Sequence, residues 1–170
     1  EERELSVDEC AGYLQKAINL LKSQTAASDG SEGTLKVIIT VSPIRYAKYG
    51  YHGSQLSKAT LLLAADKLVK ENPGVVSYFP AYEIMNDELR DYRFYKEDML
   101  HPSEQAVEYI WERFRATYFG KAAEQFLEDW RPIREALGHK PFHPESEEHQ
   151  KFIARTEEKK RQFEEKYHLL

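Results

Sequence analysis

An aspartate and a histidine separated by two residues are the side chains with the clearest potential for catalysis in this chain. They lie in the segment Asp98-Met99-Leu100-His101-Pro102. This spacing lets the chain turn back so that the Asp98 carboxylate can meet Nδ1 of His101. Such a hydrogen bond would fix the imidazole tautomer and leave Nε2 free to take a proton from a hydroxyl nucleophile. The alternative is that Asp98 only ties down its loop or pairs with a nearby arginine.

Other polar side chains could bind substrate near this pair. The candidates are Ser42, Arg45, His52, Tyr82, Arg90 and Arg93. The arginines could bind an anionic group or stabilise developing charge, although ion pairs inside their own loop are the simpler role. His52 could line the mouth of a pocket or be an ordinary solvated histidine. The serines occur in no Gly-x-Ser-x-Gly or Gly-Asp-Ser setting, so none is expected to be a nucleophile.

Composition excludes several classes of function. Apolar residues make up 41% of the chain and charged residues 31%, which is typical of a globular domain. The net charge is −5 without a run of Lys and Arg, so we expect no nucleic-acid partner. Neither a membrane span nor a tight set of metal ligands is evident, and we expect no metal and no cofactor. Cys10 is the one cysteine, which favours a reducing, cytoplasmic location.

Two β-branched runs predict a parallel sheet that carries these residues. Val37–Val41 has almost no polar alternation, which is typical of a central strand buried on both faces. Val75–Phe79 is a second strand, and the helix predicted between them, over residues 54–71, completes a βαβ unit. In open α/β sheets, ligands bind beyond the carboxyl ends of the strands, where the candidate residues lie. Two strands are few for such a sheet, so we expect further strands from outside this sequence.

Helices are predicted on both sides of this unit. Ser6-Val7-Asp8-Glu9 is a capping box that begins a helix reaching about Gln24, and the segment Ala81–Leu89 forms a short helix. Ser103 caps a strong amphipathic helix, and the next helix should be kinked or restarted at Pro132. The last helix, over about residues 146–167, has a thin apolar side. It could pack on the body, extend into solvent or form a homodimer contact.

Several stretches of the sequence resemble one family. They are Thr40–Arg45 (TVSPIR), Gln55–Ala59 (QLSKA), Tyr78–Met85 (YFPAYEIM), Asp87–Ser103 (DELRDYRFYKEDMLHPS), Ala106–Trp111 (AVEYIW) and His139–Phe142 (HKPF). Together they make the chain similar to GSCFA proteins over nearly its whole length. The block from Tyr78 to Ser103 is far more specific than the Asp-x-x-His pattern alone.

The resemblance implies a fold and an activity. GSCFA proteins are bacterial and are grouped with SGNH/GDSL-like hydrolases on a flavodoxin-like three-layer α/β fold. Their Gly-Ser-Cys-Phe-Ala motif is expected to supply the nucleophilic serine, and Asp98 and His101 match their Asp-x-x-His-Pro. That motif is absent from this sequence. We therefore expect the C-terminal portion only: residues 1–138 as the C-terminal half of an SGNH-like domain with a short parallel sheet flanked by helices, and residues 139–170 as a connector and helical extension.

Two functions follow from the sequence. The first is a serine ester hydrolase or acyl transferase acting on a small-molecule or glycan ester. His101 would be its base and Asp98 would orient that base, while the nucleophile would come from a missing N-terminal half. This chain alone should then be inactive. The second is a non-catalytic binding or structural domain that uses the same scaffold.

Overall fold

The computed structural model describes residues 3–25, 35–141 and 145–169. The chain divides into two compact units, one ending at Arg113 and the other beginning at Phe114. A short parallel sheet of two strands is flanked by helices, and the C-terminal part is helical. The predicted α/β class is therefore confirmed. The sequence-based division at residue 138 stays a prediction.

The elements follow one another in βαβ order with helices before and after. They are α1 (Val7–Thr25), β1 (Val37–Ile39), α2 (Gly50–Glu71), β2 (Val76–Tyr78), α3 (Ala81–Glu83), α4 (Glu104–Tyr118), α5 (Lys121–Gly138) and α6 (Glu147–Lys166). A π-helical turn over Ile84–Leu89 continues α3 directly, so the helix predicted for this stretch is present with a wider last turn. A 3-10 turn covers Tyr92–Phe94.

The predicted capping box begins α1. The Glu9 N–H donates to Ser6 Oγ at 3.2 Å, and the Ser6 N–H donates to Glu9 Oε2 at 2.9 Å. These bonds satisfy amides that no carbonyl of the helix can reach. The Ser6 N–H, together with the guanidinium of Arg3 and the Ser6 hydroxyl, lowers the pKa of Glu9 to about 2. The prediction of this helix start is confirmed.

Removing the cap should weaken the first unit. We expect Ser6→Ala to lower the free energy of unfolding by about 1 kcal/mol, because the Glu9 N–H loses its acceptor. Urea unfolding followed by circular dichroism measures this change. Ser23→Ala is the matched control: its exposed hydroxyl donates to Leu20 O at the other end of α1. If both variants changed stability equally, the Ser6 cap would not be a specific contribution.

The sheet is covered on one face and open on the other. Val37 lies opposite Val76 and Ile39 opposite Tyr78, and this face packs on α1 and α2. The buried residues of the resulting core are Cys10, Ala11, Ile18, Ala64, Leu68 and Val76. Ile38 points to the opposite face, because side chains alternate along a strand, and it is 40% exposed. The prediction that this strand is buried on both faces is therefore wrong for the described part of the chain.

α2 begins earlier than its sequence suggests. A 3-10 turn at Ala47–Tyr49 leads into the helix at Gly50, ahead of the predicted start at residue 54. Ser54 therefore lies inside the helix, buried in its second turn, where its Oγ accepts the Tyr46 N–H at 3.2 Å. This bond ties α2 to the segment that follows β1.

The second unit is built on an aromatic cluster between α5 and α6. Phe126 contacts the rings of Phe163 and Tyr167 at centroid distances of 4.9 and 4.7 Å, and Trp130 contacts Phe163 at 5.1 Å. The thin apolar side of α6 therefore packs on α5. α5 runs through Pro132 as one helix and is not restarted there. The connector predicted over residues 139–145 lies partly outside the described residues.

Within the described ranges, no helix is both long and apolar enough to span a membrane.

Candidate active site

The segment that carries His101 is a short hairpin, although its sequence suggests irregular structure. Tyr95 and Pro102 form an antiparallel bridge. The Lys96 N–H donates to His101 O at 2.8 Å, and the Ser103 N–H donates to Phe94 O at 2.7 Å. Buried Phe94 anchors the hairpin in a second core formed with Met85 and Ala106. The hairpin is therefore fixed at its base.

The hairpin also leads directly into α4. The hydroxyl of Ser103 accepts the Ala106 N–H at 3.3 Å, so this residue caps the helix as predicted. The start of α4 thus holds one end of the hairpin, and the π-helical turn precedes the other. A helical element thus lies on each side of the hairpin.

Asp98 and His101 meet at the tip of this hairpin. The distance from His101 Nδ1 to Asp98 Oδ2 is 2.6 Å. The other carboxylate oxygen, Oδ1, accepts the backbone N–H groups of Leu100 and His101 at 2.8 and 2.9 Å. Both oxygens of Asp98 are engaged, so the carboxylate cannot rotate without losing several bonds. The contact that the spacing predicts is present.

The side chains of this pair remain accessible. The His101 side chain is 51% exposed and that of Asp98 43%. Within the described part of the chain, Asp98 is the hydrogen-bond partner of the His101 ring. When Nδ1 donates to Asp98, Nε2 carries the lone pair and can accept a proton.

The hairpin turn sets the charge of Asp98. The N–H groups of His101 and Leu100, followed by the His101 ring, lower the pKa of this carboxyl from 3.8 to about 2. Hydrogen bonds to the ionised form stabilise it, which explains the direction of the shift. Asp98 is therefore an acceptor for the imidazole across the whole neutral range.

The Asp98 carboxyl should titrate well below an ordinary aspartate. We expect its side-chain 13C resonance, assigned by its loss in Asp98→Asn, to remain that of a carboxylate down to about pH 3. Because the folded pKa is the lower one, the linked stability is present above the unfolded pKa and is lost as pH falls toward 2. Asp66, which pairs with exposed Lys70 on α2, is the assignment control, because Asp98→Asn should leave its resonance in place. Titration of Asp98 near pH 4 would contradict the turn geometry.

Arg45 connects the segment after β1 to the tip of the hairpin. Its backbone N–H donates to Leu100 O at 3.1 Å, and its guanidinium donates to Met99 O at 3.3 Å. The guanidinium carbon lies 4.0 Å from the ring centroid of Tyr95 and 5.6 Å from that of Tyr92. The proposed role of Arg45 in binding substrate therefore competes with these contacts inside the protein.

Ser42 and Lys58 shape the same segment. The Ile44 N–H donates to Ser42 Oγ at 3.3 Å, and the Lys58 ammonium donates to Ser42 O at 2.6 Å. Burial lowers the pKa of Lys58. Lys58 was not among the residues that the sequence suggested. It follows Ser54 by four residues, so the two side chains share one face of α2. That face contacts the loop after β1.

The remaining sequence candidates are Tyr82, His52, Arg90 and Arg93. The Tyr82 hydroxyl donates to Gln55 Oε1 at 2.7 Å, which links α3 to α2. His52 is exposed in the first turn of α2. Arg90 follows the π-helical turn in a left-handed conformation with φ of 48°. Arg93 lies near Asp91, with Nε 3.8 Å from Oδ2, and its guanidinium covers the Phe94 ring. The substrate roles of these side chains stay predictions.

Tyr78 and Glu83 form a further polar pair that the sequence did not single out. The Tyr78 hydroxyl donates to Glu83 Oε2 at 2.9 Å. Burial, and then the neighbouring carboxylate, raises the pKa of Tyr78. The pair joins the end of β2 to α3 and so holds the turn at Pro80. Its role in the structure is to fix this corner of the first unit.

A cleft of about 540 Å³ lies beside the hairpin tip. Residues that line it include Tyr46, Tyr51, Gln55, Tyr92, Met99 and Leu100. Tyr51 and Tyr92 are 86% and 65% exposed, so their rings border open space. The cleft therefore offers aromatic faces and an amide group next to the residues that precede His101. Among the described residues, no cluster of His, Cys, Asp or Glu side chains could hold a metal ion.

Comparisons with family models identify the class of protein. The model described as the GSCFA family matches residues 1–114, and the model described as GSCFA domain protein, C-terminal domain, matches residues 130–170. The chain belongs to the GSCFA family. The expectation that it represents the C-terminal portion only is not borne out, because the main family model matches residues 1–114 in addition to the C-terminal domain model. No curated protein and no solved structure matches the chain.

Proposed function

We propose that the Asp98–His101 pair is the acid/base element of a serine ester hydrolase or acyl transferase of the SGNH type. The contact of 2.6 Å between His101 Nδ1 and Asp98 Oδ2, on a half-exposed imidazole, carries this proposal. An oriented imidazole of this kind is what a hydroxyl nucleophile requires of its base. Membership of the GSCFA family agrees with it.

In this mechanism, His101 accepts and returns one proton in each of two half-reactions. Nε2 takes the proton of a serine hydroxyl while the oxygen attacks the ester carbonyl carbon. The bond from that carbon to the leaving alcohol then breaks, and the alcohol receives the proton from Nε2. Water or an acceptor alcohol next gives its proton to Nε2 and attacks the acyl carbon, the bond from that carbon to the serine oxygen breaks, and the serine receives the proton. Asp98 stays ionised throughout and stabilises the imidazolium that forms, as its low pKa favours.

The nucleophilic serine is proposed to come from outside this chain, whose sequence lacks the Gly-Ser-Cys-Phe-Ala motif. Ser42 and Ser54 use their hydroxyls as acceptors for backbone N–H groups of the same loop, and the Ser103 hydroxyl caps α4. None of them stands in a nucleophile motif. The substrate is proposed to be a small-molecule or glycan ester, whose organic part would lie in the tyrosine-lined cleft beside the hairpin.

An assay with a short-chain aryl ester tests the role of His101. The chain alone should be inactive. When a polypeptide with the Gly-Ser-Cys-Phe-Ala motif is added or fused, hydrolysis should appear. His101→Gln should then lose about a hundredfold or more of kcat, because the hydroxyl loses its base. His168→Ala is a matched control, since His168 lies near the C-terminus in the second unit.

Two results would contradict the proposal. Unchanged hydrolysis by His101→Gln in the complemented protein would remove this residue from the mechanism. Activity of the chain alone, with covalent labelling of one of its own serines by a fluorophosphonate, would contradict the external nucleophile.

The non-catalytic alternative is less well supported by the contacts of the loop. It would be favoured by a sheet edge open to a partner, by salt bridges from Arg90 and Arg93 to Asp98, or by a buried His101 ring with both nitrogens satisfied. The carboxylate beside Arg93 is instead that of Asp91, and Asp98 contacts the accessible His101.

A further inference from the structure

The turn that holds the Asp98–His101 pair has a backbone conformation that its own sequence does not favour. Met99 lies in the left-handed region with φ of 59°, where side chains with a Cβ atom are disfavoured and glycine is not. Its side chain is 43% exposed. Inside the turn, the Met99 N–H donates to Lys96 O at 2.9 Å, and further contacts reach this residue from outside the turn.

The guanidinium of Arg45 supplies such contacts. It donates to Met99 O, the carbonyl of the residue with the left-handed backbone. Its guanidinium carbon also lies 4.0 Å from the ring centroid of Tyr95, a residue at the base of the same hairpin. One side chain thus contacts the tip and the base of the hairpin at once. The guanidinium is planar and carries several donors in a fixed geometry, which suits it to make both contacts in one orientation.

We infer that Arg45 is a positioning residue, whose guanidinium holds the hairpin tip so that the Leu100 and His101 amides point at Asp98 and the carboxylate orients the imidazole. The effect of Arg45 on catalysis rests on the proposed function, whereas its effect on the hairpin turn does not. Arg45 would influence catalysis through Asp98, without contacting the reacting atoms.

The backbone N–H of residue 45 also donates to Leu100 O, and this bond does not depend on the side chain. Substitution of Arg45 should therefore loosen the turn without releasing it. The amides of Leu100 and His101 would spend less time bonded to Asp98 Oδ1, and the carboxylate would lose part of its stabilisation.

The pKa of Asp98 measures this effect without any catalysis. In Arg45→Ala we expect the 13C titration of Asp98 to shift upward by about one unit from its value of about 2. Arg45→Lys keeps the charge but replaces the planar guanidinium, with its several donors in a fixed geometry, by a smaller ammonium group, so it should shift in the same direction. It also serves as the test if the alanine variant does not fold.

The control is another arginine that combines an ion pair with a ring contact. The Arg113 guanidinium donates to Glu88 and covers the Tyr109 ring, about three turns along α4 from Ser103. Arg113→Ala should lower the thermal midpoint and leave the pKa of Asp98 unchanged. If Arg45 only stabilised the fold, its variants would likewise lower the thermal midpoint and leave the pKa of Asp98 unchanged.

An Asp98 pKa that stays near 2 in both folded Arg45 variants would overturn the inference. A shift in both, without one in Arg113→Ala, would support it. The outcome is separate from that of the ester assay. If His101→Gln remained active, the proposed function would fail while the Asp98 titration could still show that Arg45 holds the turn.

Discussion

The candidate site depends on one carboxylate whose hydrogen bonds come from its own turn. Asp98 accepts two backbone N–H groups on Oδ1 and the His101 ring on Oδ2. Each bond restrains a different part of the turn: the amides restrain the backbone, and the ring bond restrains the rotamer of His101. A side chain that is about half exposed would otherwise sample several rotamers. The hydrogen bonds of the local turn thus restrain these side chains, as burial does in other active sites.

The rest of the first unit supports this turn from three directions. Phe94 and Met85 anchor the base of the hairpin in a small core, Ser103 joins it to α4, and Arg45 reaches the tip. The segment that carries Arg45 is in turn held by Lys58 and Ser54 of α2. The site is therefore connected to the βαβ unit through backbone carbonyls and amides more than through packed side chains. This arrangement leaves the imidazole accessible while its position stays defined.

Sequence reasoning succeeded where the cause of structure is local. The capping box at Ser6, the cap at Ser103 and the contact between Asp98 and His101 all involve residues within three positions of each other. It failed where the structure depends on contacts between segments that are far apart in the sequence. The exposure of Ile38 depends on which elements cover the second face of the sheet, and the pattern of β-branched residues cannot show that. The role of Lys58, and the contacts of Arg45 with the hairpin tip, depend on how the loop after β1 meets α2 and the hairpin.

The tautomer of His101 shows directly whether Asp98 orients the imidazole ring. If Asp98 orients this ring, the neutral imidazole must carry its proton on Nδ1 and leave Nε2 free. The 15N chemical shifts of the two ring nitrogens distinguish the tautomers in a histidine-labelled sample, with His101 assigned by comparison with His101→Gln. We expect the Nδ1–H form. A neutral ring protonated on Nε2, with Nδ1 unable to donate to Asp98, would contradict it.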